Sequence, residues 1–181
     1  MLFRSVWNAE DGELRRLTRG AALRDADPSA DGSWAAAVRC DHGWCDLVRV
    51  DLATGAVRVL RAGSVSRNYY RPRVSRTTGE IAVAEQEDDR WRIARVSPET
   101  GALRYADPND AVSRYDATFA RDGRTIVATS EAGGIANLER LDTTGTRAIR
   151  LTSVTGAAVA SDVATKDDAL EHAAFTRFDD D

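Results

Sequence analysis

Histidine is nearly absent from this chain: His42 and His172 are the only two in 181 residues. There is also no Gly-x-Ser-x-Gly elbow to present a nucleophile. A catalytic triad needs base, nucleophile and orienting acid converged on one point. Both histidines are placed at or near strand ends, with no helix beside them. The sequence therefore predicts a chain with no catalytic residues of its own, whether it acts alone or as one part of a larger hydrolase. Lysine is scarcer still, with Lys166 the single example, and the formal net charge is −4 with acids and bases interspersed. No basic stripe of the kind that nucleic acid binding requires is present. The arginine excess reads as compositional bias, because bidentate pairing is a matter of geometry and not of counts.

Long apolar runs are missing too. None approaches the ~20 residues of a membrane helix, so membrane insertion is not expected. The opening Met1-Leu2-Phe3-Arg4-Ser5-Val6-Trp7 is too short for a secretory apolar region and lacks a cleavage site. Either the protein is cytoplasmic or its export signal lies outside this chain. The acidic stretch from Asp25 to Gly32 lacks the sixth-position glycine and twelfth-position glutamate of a calcium loop. Glu85 to Arg90 and Asp179 to Asp181 read as solvated acidic loops, with weak cation binding the alternative, and neither a metal nor a cofactor is expected. No sustained helical stripe occurs; Asp167 to Phe175 comes nearest and is better read as a diverged turn.

What is present is a repeat. Asp31-Gly32, Thr78-Gly79 and Asp122-Gly123 recur at steps of 47 and 44 residues. A second series recurs out of phase with the first, as Asp51 to Gly55, Ser97 to Gly101 and Asp142 to Gly145, at steps of 46 and 44. Two interleaved turn series with one period mean one supersecondary unit copied several times. Between the turns lie short apolar runs: Trp34 to Val38 and Leu47 to Val50, Ile81 to Ala84 and Trp91 to Val96, Thr125 to Ala128 and Leu138 to Leu141. A further short strand follows each Thr-Gly, and another precedes each first-series turn, reduced to a stub near Ser29 in the first copy. The alternation in Trp91-Arg92-Ile93-Ala94-Arg95-Val96 predicts a strand with one buried face.

Four short strands per ~45 residues is the signature of a propeller blade. The predicted fold is all-β, with three full four-stranded antiparallel blades and a half-blade at each end of a single domain. The blades are read at 25–69, 70–114 and 115–157, and the halves at 1–24 and 158–181. The two halves either pair with each other to close a four-bladed ring or belong to a propeller with more blades. The second reading is preferred, because four blades is the lower limit of the usual range.

The full pattern runs Leu17-Thr18, Pro28 to Gly32, Trp34 to Val38, Leu47 to Val50 and Asp51 to Gly55. It returns as Phe119 to Gly123, Ile126 to Ala128, Leu141 to Gly145 and Leu151-Thr152. This resembles the TolB-type propeller repeat, a WD-like repeat also found in the propellers of prolyl-oligopeptidase-like enzymes. The resemblance covers essentially the whole chain. It departs at Lys166-Asp167-Asp168, where the fourth turn has decayed. Neither the α/β domain of TolB nor the hydrolase domain of the peptidases lies within these residues. The family is commonly exported in bacteria, so the resemblance implies periplasmic or secreted residence.

Cys40-Asp41-His42-Gly43-Trp44-Cys45 is the most unusual local run. Its cysteines flank the connection between the second and third strands of a blade, where facing positions come close enough for a disulfide. Two free thiols, or a metal site with His42, are the alternatives, the latter short of a fourth ligand. In a meandering blade the 2–3 and blade-to-blade connections share one face, and here they read as long and variable, which favours function there. That face gathers His42, Trp44, Arg67, Asn68, Tyr69, Tyr70, Arg71, Arg114 and Tyr115. Tyr, Trp and Arg are enriched at interface hot spots, so a protein or peptide partner is expected. Packing between blades is the alternative role for the tyrosines, chiefly Tyr70 and Tyr115. The other functional readings are a propeller that gates substrate access to a peptidase domain, and a structural spacer.

Overall fold

The structure, a computed structural model, describes residues 5–142, 146–166 and 169–178. Three four-stranded antiparallel sheets follow one another along the chain. The first contains β3 (Leu23–Pro28), β4 (Trp34–Asp41), β5 (Trp44–Asp51) and β6 (Val57–Arg61). The second contains β7 (Arg67–Val74), β8 (Ile81–Glu87), β9 (Arg90–Val96) and β10 (Leu103–Tyr105). The third contains β11 (Arg114–Phe119), β12 (Ile126–Ser130), β13 (Asn137–Leu141) and β14 (Ala148–Arg150). They are flanked by the hairpins β1 (Ser5–Trp7) with β2 (Leu14–Arg16) and β15 (Ala157–Lys166) with β16 (Ala169–Phe178). The turn series at Asp142 to Gly145 and the decayed turn at Asp167-Asp168 fall partly outside the described residues, as do Leu2 to Arg4 and Asp179 to Asp181.

This is a partial β-propeller. Among the described residues the two flanking hairpins form separate sheets, so the halves do not pair to close a four-bladed ring. The first strand of each blade is longer than the sequence suggested. β3 is a six-residue strand where only a stub was expected, and β7 begins at Arg67, so a blade boundary at 69/70 cuts through it. The sequence places both histidines at or near strand ends; His42 falls in the turn after β4 and His172 is the fourth residue of β16.

The turns follow from short polar side chains. Asp31 accepts from the Ser33 N–H at 3.1 Å and from the Ser29 hydroxyl at 2.6 Å. The Ser29 hydroxyl and then the Ser33 N–H hold the Asp31 carboxyl down at about 2. Asp51 accepts from the Ala53 and Thr54 N–H groups at 3.0 and 2.7 Å. Such Asx turns let a side chain stand in for backbone. At Thr78-Gly79 the same work falls to the Ser75 hydroxyl, 3.1 Å from the Thr78 nitrogen.

The core lies between blades. One cluster joins Ala36, Val38 and Leu47 of the first blade to Tyr69, Ile81, Val83 and Val96 of the second. The next joins Ala82, Ala84 and Ile93 to Ala117, Ile126 and Leu141 of the third. A third cluster sets Leu17 against Leu23, Ala37 and Val48, and a fourth sets Val127 and Leu138 against Ala158. Alternate residues of one strand therefore feed different clusters. Ile93 faces the third blade while Ala94 and Val96 face the first, so β9 buries both faces and not the single face its alternation suggested.

Two further features repeat. The first strand of each blade, and of the last hairpin, carries a β-bulge. Beside it a non-glycine residue adopts positive φ: Asp25 at 54°, Arg71 at 43°, Asp116 at 52° and Ala160 at 55°. Bulges of this kind bend a strand and re-aim its side chains. Near the start of the third strand, a backbone N–H is capped by a side chain on the path into the next blade. Cys45 donates to Asn68 Oδ1 at 2.9 Å, Trp91 to Ser113 Oγ at 3.3 Å and Leu138 to Thr152 Oγ1 at 2.9 Å.

Gly101 and Gly79 have nearly the same φ, +72° and +73°, but a Cβ on Gly101 would meet the Leu60 carbonyl oxygen at 2.5 Å and one on Gly79 meets nothing within 4 Å. Gly79→Ala is expected to cost ~1 kcal/mol for its backbone conformation. Gly101→Ala should cost about 2 kcal/mol more, because the neighbouring blade must move. Urea denaturation of the two variants measures the difference.

Candidate functional site

The face carrying the 2–3 and blade-to-blade connections is built differently from the sequence expectation. The 2–3 connections of the first two blades are two-residue turns, His42-Gly43 and Asp88-Asp89, and not long loops. His42 and Gly43 have φ of 54° and 93°, the pair of positive values that a tight hairpin of primed type requires. Only the third blade carries a longer 2–3 connection, with a 3-10 turn at Ala132–Gly134. The blade-to-blade connections contract to residues 62–66 and 106–113.

The His42-Gly43 hairpin is tied down from three sides. Cys40 and Cys45 are direct cross-strand partners with Cα atoms 4.0 Å apart, joined as a disulfide. The Cys45 N–H is capped by Asn68, as described above. Asp46 accepts from Arg39 at 2.6 Å and from the Gly63 N–H at 2.8 Å, fixing the hairpin to the connection that follows. At the tip the His42 side chain is 77% exposed and its Nε2 lies 3.4 Å from the Asp41 carboxylate. Trp44 is half-buried, its ring centroid 6.4 Å from that of His42.

The remaining sequence-predicted residues divide. Tyr69 is a core residue and not a surface contact: it is 1% exposed, and its hydroxyl donates to Glu85 Oε1 at 2.8 Å. Burial, reinforced by Glu85, pushes its phenol up to about 12. Arg114 is buried as well, donating from Nε to Glu139 at 2.9 Å and from Nη1 to Asp110 at 2.8 Å. Burial holds the Asp107 carboxyl above its ordinary value, opposed by the Arg92 and Arg114 guanidinium groups. Tyr70 meets Trp91 edge-on at 5.9 Å between the second and third blades. The half-buried Tyr115 donates to Glu131 at 3.2 Å, and burial followed by that carboxylate raises its phenol to about 12. Arg71 sits at a bulge and pairs with Asp116 at 2.9 Å. The structure thus brings His42 and Trp44 together at the hairpin tip. Arg67 is half-buried, 2.6 Å from Glu87 and 3.3 Å from Glu85.

Glu85 was read from sequence as part of a solvated loop, yet it lies in β8 and is 2% exposed. It accepts both the Tyr69 hydroxyl and that of Tyr105, the latter at 2.9 Å. Its place in phase with Ile81 and Val83, two and four residues earlier, was the available signal.

No protein-family model matches the chain. No curated protein matches it either. Solved structures do. TolB from Acinetobacter baumannii superposes with a TM-score of 0.71 at 18% identity, over 93% of this chain and 42% of that one. A putative TolB from Agrobacterium tumefaciens gives 0.71 at 16%, over 84% and 55%. A puromycin hydrolase gives 0.70 at 17%, over 87% and 26%. The fold is a TolB-type propeller, shared with the propellers of prolyl-oligopeptidase-like enzymes. The chain spans about half or less of the length of these structures.

Tyr69→Phe should destabilise the fold by about 1.5–3 kcal/mol, the range for a buried hydrogen bond to a charged group. The same phenol gives a pH signature. Its folded value lies above its ordinary value of 10.0. The stability gained by keeping it neutral is therefore complete below about pH 10 and lost as pH rises through about 12. Denaturant melts from pH 8 to 12 should show that decline, and Tyr69→Phe should flatten it.

Proposed function

We propose that this chain is a non-catalytic propeller module that binds a protein or peptide through the His42-Gly43 hairpin face, with Trp44 as its anchor. The observation that carries this reading is the disulfide-clamped hairpin with Trp44 and His42 at its tip. A rigid aromatic tip loses little conformational entropy when a partner covers it. Trp is also the residue type most often found at interface hot spots. The likeness of the fold to TolB supports a protein partner. Periplasmic or secreted residence belongs to the same proposal, supported by the disulfide, which persists in oxidising compartments.

A second reading is favoured by the peptidase structures that share the fold: the chain as a propeller segment that gates substrate access to a hydrolase domain. The intact mass of the native protein separates the two. A mass well above that of these residues, with a hydrolase domain in the excess, supports gating.

A photo-crosslinking residue at Asp41 should trap the partner in cell extracts. Trp44→Ala should reduce that capture at least roughly tenfold, as for a hot-spot residue, with a thermal midpoint close to that of the parent chain. Undiminished capture by Trp44→Ala would falsify the face assignment. Replacing both Cys40 and Cys45 by Ser should weaken capture while leaving a cooperative thermal transition, because Cys45 and Cys40 sit in only one of the clusters between blades and the apolar members of that cluster remain.

A further inference from the structure

The first strands of the second and third blades and of the last hairpin line a half-open cavity of about 680 Å³. Its walls come from the later halves of β7 and β11, the turns that follow them, the middle of β15 and Asp27 of β3. It therefore lies toward the end opposite the His42-Gly43 hairpin. Its lining is uneven in charge: Arg71, Arg73, Arg76 and Arg121 face only Asp27 and Asp162.

Both acids accept backbone hydrogen bonds, and among the described residues Asp27 is also ion-paired while Asp162 keeps its charge at an exposed position. Asp27 accepts from the Val74 N–H at 2.6 Å and lies 3.6 Å from Arg76. Asp162 accepts from the Val163 N–H at 2.9 Å. Arg71 is paired outside the lining, with Asp116. Arg73 is half-buried and donates to the Pro72 carbonyl at 3.1 Å. Among the described residues neither Arg73 nor Arg121 has a carboxylate partner. Ser161 adds, on the same wall, a buried hydroxyl with no hydrogen-bond partner among the described residues. Phe119 and Val163 supply apolar wall beside these groups.

A half-buried guanidinium without a counter-ion and a buried hydroxyl without a partner are both unfavourable in the empty cavity. An anion relieves both at once, and the planar fork of arginine fits a carboxylate. We propose that this cavity binds a carboxylate, held by Arg73 and Arg121, with Ser161 donating to it and its carbon skeleton against Phe119 and Val163. The site is separate from the hairpin face and does not depend on the function proposed for that face.

Two sources offer this chemistry: a small free carboxylic acid and the C-terminal carboxylate of a peptide. Calorimetric titration of the full chain at fixed ionic strength compares four probes. These are succinate, the peptide acetyl-Ala-Ala-Leu as the free acid, the same peptide as its C-terminal amide, and sodium chloride. Binding of succinate without the peptide acid identifies a free small acid. Binding of the peptide acid but not its amide identifies a chain terminus. In either case Arg73→Gln and Arg121→Gln should each lower the affinity roughly tenfold or more, while the exposed Arg124→Gln leaves it unchanged. Should Arg73→Gln fail to fold, the exposed Arg121 carries the comparison. The proposal is overturned if no carboxylate binds more tightly than chloride, or if the arginine variants bind as the parent chain does.

Discussion

No blade of this protein can stand alone. A four-stranded sheet with alternating apolar residues on both faces needs a cover on each side, and here the cover is the next copy of the same sheet. The four clusters of buried residues all lie between neighbouring sheets. Stability in such a repeat is a sum over neighbours and not the property of one central core. It also explains the composition of the strands. Ala35, Ala36 and Ala37 in a row are all buried, because each serves one face or the other of a sheet packed on both sides.

The same constraint assigns the charged residues their places. The apolar faces between blades leave the ends of the strands to acids and arginines, and these are paired across connections. Glu85 receives Tyr69 and Tyr105, Arg114 holds Glu139 and Asp110, and Asp46 holds Arg39 and the backbone of Gly63. Removing one partner of such a pair exposes the other to an apolar surrounding, which costs more than the pair contributed. The networks therefore fix connections in place. The arginines and tyrosines that look adhesive in the sequence are in good part mortar.

The repeat, the strand count and the half-blades at the two ends were legible because turn chemistry is local. Asp31 and Asp51 fold back on their own backbone and need no distant partner. Which aromatic faces outward was not legible, and Tyr69 and Trp44 show why. Both are aromatic residues near a connection, but Tyr69 falls in phase with the apolar face of β7 and has a buried carboxylate to receive its hydroxyl. Trp44 sits at the tip of a hairpin. That distinction depends on strand boundaries two or three residues away, which sequence patterns locate poorly. The bulges escaped notice for a related reason: Asp25, Arg71, Asp116 and Ala160 recur in step but share no chemistry.

The capping of each third strand carries a consequence for how the chain is made. Cys45 waits for Asn68, 23 residues on, Trp91 for Ser113, 22 residues on, and Leu138 for Thr152, 14 residues on. As the polypeptide leaves the ribosome, each of these donors emerges before its cap does. In each of the three blades the group that closes this end of the hairpin is thus supplied by residues made later. Assembly becomes a relay along the chain, in which each unit is closed by the arrival of its successor.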